Sequence, residues 1–158
     1  MLSFGRKNSS ELLNTLKKQS GELAKSPLDT ELANQCAINA WSLCDWVFKE
    51  HGKQLGLTEL KQLQVQMKQN CPSLALLQDV ANASKHMKIT KFTPTLKVAE
   101  KHDGLFDPEL FDPELFDSSF FDVDALYLER VDDSKILFEI ALNDVIKLWD
   151  DFFNSNKL

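Results

Sequence analysis

Apolar residues recur every three to four positions in several separate stretches of the chain, and each stretch predicts a helix with one buried face. In the first, Leu12, Leu13, Leu16 and Leu23 follow Ser9, Ser10 and Glu11, which predict a capped start. Ser20 and Gly21 predict an interruption there, and Ser26 with Pro27 predicts the stop. The second stretch is stronger: Asp29 or Thr30 caps a helix that runs through Glu31 to about Glu50 and ends at His51 and Gly52. Cys36, Ala37, Ala40, Trp41, Leu43, Cys44, Val47 and Phe48 give it the wide apolar face of a central bundle helix, with Asn34, Gln35, Asn39, Ser42, Lys49 and Glu50 opposite. Asp45 falls at the seam between the two faces, which predicts partial desolvation of its carboxylate. Thr58 caps a third helix reaching about Gln69. Asn70, Cys71 and Pro72 then separate it from a fourth that continues to His86, with Pro72 in the first turn.

Beyond Met87 the period shortens to two. Residues 89–93 and 95–98 alternate and are β-prone, with Pro94 confining them to an edge or a bulge. Residues 125–131 and 135–140 alternate as well and flank Asp132, Asp133 and Ser134, which predicts a hairpin. A last helix over residues 143–153 places Val145, Ile146, Trp149, Phe152 and Phe153 on its apolar side. The expected architecture is α+β and mainly helical: a four- to five-helix bundle with a small antiparallel hairpin or sheet before the last helix.

Residues 100–122 predict an irregular acidic-aromatic loop built on a pentapeptide repeat. Leu105-Phe106-Asp107-Pro108-Glu109 is followed by Leu110-Phe111-Asp112-Pro113-Glu114 and then by Leu115-Phe116-Asp117. A period of five is too short for a solenoid unit. A duplication in a surface loop accounts for the repeat at little cost in loop-closure entropy. The sharper alternative is a docking motif that offers Phe106, Phe111 and Phe116 to a protein partner, because exposed aromatics beside carboxylates call for a cover.

Composition narrows the class. A length of 158 residues, 43% hydrophobic and 27% charged, predicts a single globular domain over residues 1–158. A net charge of -6 supplies no broad drive toward nucleic acid or an anionic membrane. Cys36, Cys44 and Cys71 are odd in number and form no CxxC pair, so a reducing, cytoplasmic setting is expected. Neither a signal-peptide core nor a long apolar run appears, so no membrane span is expected. Gly-rich phosphate loops, nucleophile elbows and zincin motifs are absent.

The fourth helix holds the best candidate chemistry. At about 100° per residue, Gln78, Asp79, Asn82, Lys85 and His86 fall within an arc of roughly 120°. Asp79, Asn82 and His86 stack along one stripe at spacing i, i+3, i+7, where His86 is the natural acid-base group and Asp79 acts with it through Asn82, water or substrate. The plainer account is the solvated face of an amphipathic helix. His51, His86 and His102 with Asp45 and Asp79 have no spacing that signals a metal, so neither metal nor cofactor is expected. Cys36 and Cys44 read as small packed hydrophobes, whereas Cys71 precedes a helix start that would favour a thiolate.

Two resemblances follow. The stretch from Ala40 through Trp41, Asp45 and Trp46 to Phe48, then that from Cys71 to His86, then a hairpin and a Trp-containing last helix, resembles a group of small uncharacterised bacterial and phage-associated proteins. A helical bundle with a polar-His motif on an inner helix also resembles the HEPN superfamily, whose active members are metal-independent RNases that pair an Arg and a His across a homodimer interface. Here His86 matches that His, while the upstream position that could hold the Arg is Gln78, separated from His86 by seven residues, and the basic Lys85 stands adjacent to His86 instead. This resemblance implies RNA or nucleotide binding in phage or mobile-element biology, with His86 and Asp79 catalytic and Asn82, Lys85, Asp45 and Trp46 binding. The alternative is a non-enzymatic oligomeric interaction or adaptor protein that docks through the repeat loop or a helical face.

Overall fold

The computed structural model describes residues 5–85, 95–103 and 124–158. Among these, five helices and a three-stranded antiparallel sheet form a mainly helical α+β fold. The first helix, α1, spans Ser9–Lys25 without interruption. Asn8 rather than a serine caps it, its Oδ1 accepting from the Glu11 N–H at 2.8 Å. Gly21 costs a helix interior about 0.5–1 kcal/mol, less than the burial of Leu12, Leu13, Leu16 and Leu23 on either side of it returns.

The central helix, α2, spans Thr30–His51 behind its Asp29 cap, whose carboxylate accepts from the Leu32 N–H at 2.9 Å. It touches α1, α3, α4 and α5, and its Cys36, Ala37, Ala40, Leu43, Cys44 and Val47 are all fully buried. The short helix α3 covers Leu60–Asn70; Gln62 stabilises its start by accepting from the N–H groups of Thr58 and Glu59. Next, α4 spans Ser73–Lys85. The last helix, α5, spans Phe138–Asn156 and buries Trp149 completely, with its indole N–H donating to the Ala40 carbonyl at 3.3 Å.

The sheet packs on α4 and α5. Its strands are β1, Leu96–Asp103, β2, Asp124–Arg130, and β3, Lys135–Leu137, in the order β1-β2-β3. The β1–β2 register runs from Leu96 opposite Arg130 to Asp103 opposite Asp124, with one irregularity between Leu96 and Val98. Leu96, Leu126, Leu128 and Ile136 pack toward the helices, while Glu129 on the other face pairs with Lys97 at 3.1 Å and lies 3.9 Å from Lys135.

Several boundaries differ from the sequence expectation: Glu59 rather than Thr58 caps α3, α5 runs on to Asn156, and two strand ends move. The strand expected to end at Val98 continues to Asp103, because Ala99 to Asp103 find a full ladder of partners in β2. The strand expected over residues 135–140 stops at Leu137, and the last helix begins at Phe138 rather than 143. Phe138, Ala141, Leu142 and Val145 are all buried at helical spacing, and that burial overrides the local alternation. The expected strand over residues 89–93 and the pentapeptide repeat lie outside the described residues.

Candidate functional site

On α4, apolar side chains at Leu74, Leu76, Leu77, Val80 and Ala81 enter the core, and Asp79 goes in with them at 3% exposure. Its Oδ2 accepts three hydrogen bonds: from the Thr95 N–H at 2.7 Å, the Thr95 hydroxyl at 2.8 Å and the Leu96 N–H at 2.9 Å. Three donors on one carboxylate oxygen offset the cost of burying the charge. The result is an anchor that pins the start of β1 to the middle of α4.

The remaining stripe residues diverge from it. Asn82 is half-buried and Lys85 exposed at the C-terminal end of α4, while His86 lies outside the described residues. Gln78 turns toward α3, where its Oε1 accepts from Lys68 Nζ at 3.1 Å, and the same ammonium sits 5.6 Å from the centre of a Trp41 ring. Gln78 thus serves a contact that joins α2, α3 and α4.

Asp45 and Trp46 belong to a different place. Ala33 of α2 and Val80 of α4 line one cleft, and Asp45 lies about 18 Å further along α2 at 1.5 Å per residue. Asp45 pairs with Lys49 at 2.8 Å, and with Trp46, Lys7, Asn8 and Glu50 they line a groove of about 460 Å³ beside the start of α1. The structure therefore places Asp79, the Asn82–Lys85 end of α4 and the Asp45–Trp46 groove as three separate environments.

Glu50 had no signal in the sequence. Its Oε2 accepts from the Ser9 N–H at 2.8 Å and from the Ser9 hydroxyl at 2.5 Å, which places a carboxylate at the N-terminus of α1. Burial pushes its carboxyl up, but the Ser9 bonds and the neighbouring His51 outweigh this and hold it below the ordinary value of 4.5. A lowered folded-state pKa stabilises the fold above the unfolded value and loses that contribution as the pH falls through the folded one. In urea titrations the stability gap between the parent and Glu50→Gln is expected to be open at pH 7 and to narrow as the pH falls below the ordinary carboxyl value of 4.5 and on through the lowered folded-state value. A gap independent of pH would remove the charge from this contact.

Asn39, expected on the polar face of α2, is buried because α1 and the preceding segment cover it. Its Oδ1 accepts from Arg6 at 3.2 Å, and its amide donates to Gln19 Oε1 at 2.7 Å. Cys36 and Cys44 are fully buried, and burial pushes both thiols up to about 12. The thiolate expected at Cys71 is disfavoured too, since burial outweighs the backbone N–H groups of Leu74 and Ser73 and raises its pKa.

Among the described residues no buried side-chain nitrogen or oxygen lacks a hydrogen-bond partner, and no cluster of three His, Cys, Asp or Glu is placed to hold a metal. No described helix is long and apolar enough to cross a membrane. Comparisons with protein-family models, with curated proteins and with solved structures found no match to this chain.

Proposed function

We propose that the protein is a non-enzymatic interaction module, a mainly helical scaffold that offers the Leu-Phe-Asp-Pro-Glu segment to a protein partner. The observation that carries this reading is the segment's place in the topology. Residues 104–123 join β1 to β2, and their two ends are held opposite each other where Asp103 faces Asp124 at the end of the ladder. The other end of that ladder is tied to the bundle through Asp79.

Charge supports the same reading. Residues 104–123 contain six Asp or Glu, five Phe and no Lys or Arg, so the whole formal charge of -6 resides there and the other 18 acidic residues balance the 18 basic ones. A partner matched to this segment is basic and carries apolar pockets for Phe106, Phe111 and Phe116. By contrast, Asp79 already spends its Oδ2 on three structural hydrogen bonds, which leaves the acid-base reading with little to work with.

The test is affinity capture with three forms of the chain: intact, lacking residues 105–114, and with Phe106, Phe111 and Phe116 all changed to Ser. A partner held by the intact chain and lost by both variants, with unchanged helical circular dichroism, is the expected result. Equal capture by all three would remove the docking role.

A second reading keeps RNA or nucleotide binding of the HEPN kind, in phage or mobile-element biology and in a homodimer. Lys85, exposed beside His86 at the end of α4, favours it as a phosphate contact. RNA and nucleotide binding that is the same for the parent, Lys85→Ala and His86→Ala would remove this reading.

A further inference from the structure

Side chains alternate along a strand, so the ladder sorts β1 and β2 by face. Leu126 and Leu128 pack on the core, and their partners across the ladder are Lys101 and Ala99. Ala99 and Lys101 therefore face the helices, and Glu100 and Tyr127 face the other way. Opposite Ala99 the helices also offer short side chains, Ala33 from α2 and Val80 from α4. Short residues on all three elements leave a cleft of about 150 Å³, also lined by Leu126, Leu128 and Phe138. Ala99 is exposed despite its core-facing register, which opens the cleft to solvent.

An apolar cavity of about 150 Å³ accommodates one benzene-sized ring. Two charged residues border this cleft, Glu100 and Lys101; strand alternation turns Glu100 to the opposite face of β1 and leaves Lys101 as the charge on the cleft's own side, which distinguishes it from a dry packing defect. Lys101 is exposed, shares the face of Ala99, and has no ion-pair partner among the described residues. The half-buried amide of Asn34 lies on the α2 side. The geometry points to a binding site for a small monoaromatic carboxylate, its ring between Ala33 and Ala99 and its carboxylate on Lys101 Nζ. The site is independent of the interaction reading, since its lining comes from the bundle and the ladder alone.

Benzoate is the probe, followed by ligand-observed NMR titration of the full chain. Saturable binding is expected, with benzylamine weaker because Lys101 repels its ammonium. Lys101→Met, an exposed change that leaves the core untouched, is expected to weaken benzoate roughly two- to fivefold, the range of one exposed charge pair, and to leave benzene binding as it was. Ala99→Leu fills the cleft and is expected to abolish binding of both, with helical circular dichroism showing that the chain remains folded. Absence of saturable benzoate binding, equal binding of benzylamine, or an unchanged affinity in Lys101→Met would each overturn the site. Saturation by a Leu-Phe-Asp tripeptide but not by benzoate would make the cleft a peptide site and overturn it equally.

Discussion

Replacing Trp149 with Ala is expected to cost about 3–5 kcal/mol, the range for emptying a fully buried tryptophan site. Among the described residues Trp149 is the largest completely buried side chain, and it stands where α5 meets α2. Its indole N–H reaches the Ala40 carbonyl across that contact, and its ring meets Phe152 edge-on at 5.8 Å and 82°. The cost therefore combines lost burial, a cavity between two helices and one buried hydrogen bond. Against a total stability of about 5–15 kcal/mol for a domain, such a loss takes a large share. Urea denaturation of the parent, Trp149→Ala and Trp149→Phe measures it. The Phe variant keeps most of the ring and is expected to lose less than half as much. A Trp149→Ala chain as stable as the parent would contradict the packing described for α5.

The second large effect is expected at Asp79. Asp79→Ala removes the acceptor shared by the Thr95 N–H, the Thr95 hydroxyl and the half-buried Leu96 N–H; Thr95 is exposed, so water takes over its two donors, and the cost is about 1–3 kcal/mol, less than three independent charged hydrogen bonds would sum to because they share one acceptor. The loss is expected to be uneven across the molecule. Hydrogen exchange read residue by residue should show the amides of Thr95 and Leu96 losing protection first, and β1 with them, while α2 and α5 keep theirs. Asp79→Asn retains a neutral acceptor and should fall between the two. If Asp79→Ala left β1 fully protected, the carboxylate would not be the anchor of the sheet. Uneven loss also bears on the docking proposal, since a loosened ladder would no longer hold the ends of residues 104–123 together.

The helices were legible because their signal is local. Leu12, Leu13 and Leu16, or the run from Cys36 to Val47, show a helical period within one or two turns, and Asp29 marks its own helix start. Where two periods overlap, the local signal fails. Lys135, Ile136 and Leu137 continue into Phe138 without a capping side chain, so the alternation of the strand masks the first turn of α5. The interior position of Phe138, 2% exposed, decides between the two readings.

The candidate site was legible only as a list of residue types. On the helical wheel Asp79 is one more polar member of a stripe with Asn82 and Lys85, and nothing near it in sequence reveals that its partners are Thr95 and Leu96. Asn39 and Glu50 are alike in this: each looks solvated on α2, and each is claimed by residues of the α1 region, Arg6 and Gln19 for one and Ser9 for the other. Trp41, Asp45 and Trp46 advertise a site by their composition, yet the length of α2 carries Asp45 and Trp46 away from the end of α4.

By itself the sequence determined the five amphipathic helices, the β2–β3 turn and the concentration of negative charge between β1 and β2, because each depends on residues within a few positions of one another. Only the tertiary structure decided which polar groups are buried and what they hold. A charge can leave water only where donors meet it, and the donors for Asp79 come from sixteen and seventeen residues away in the chain.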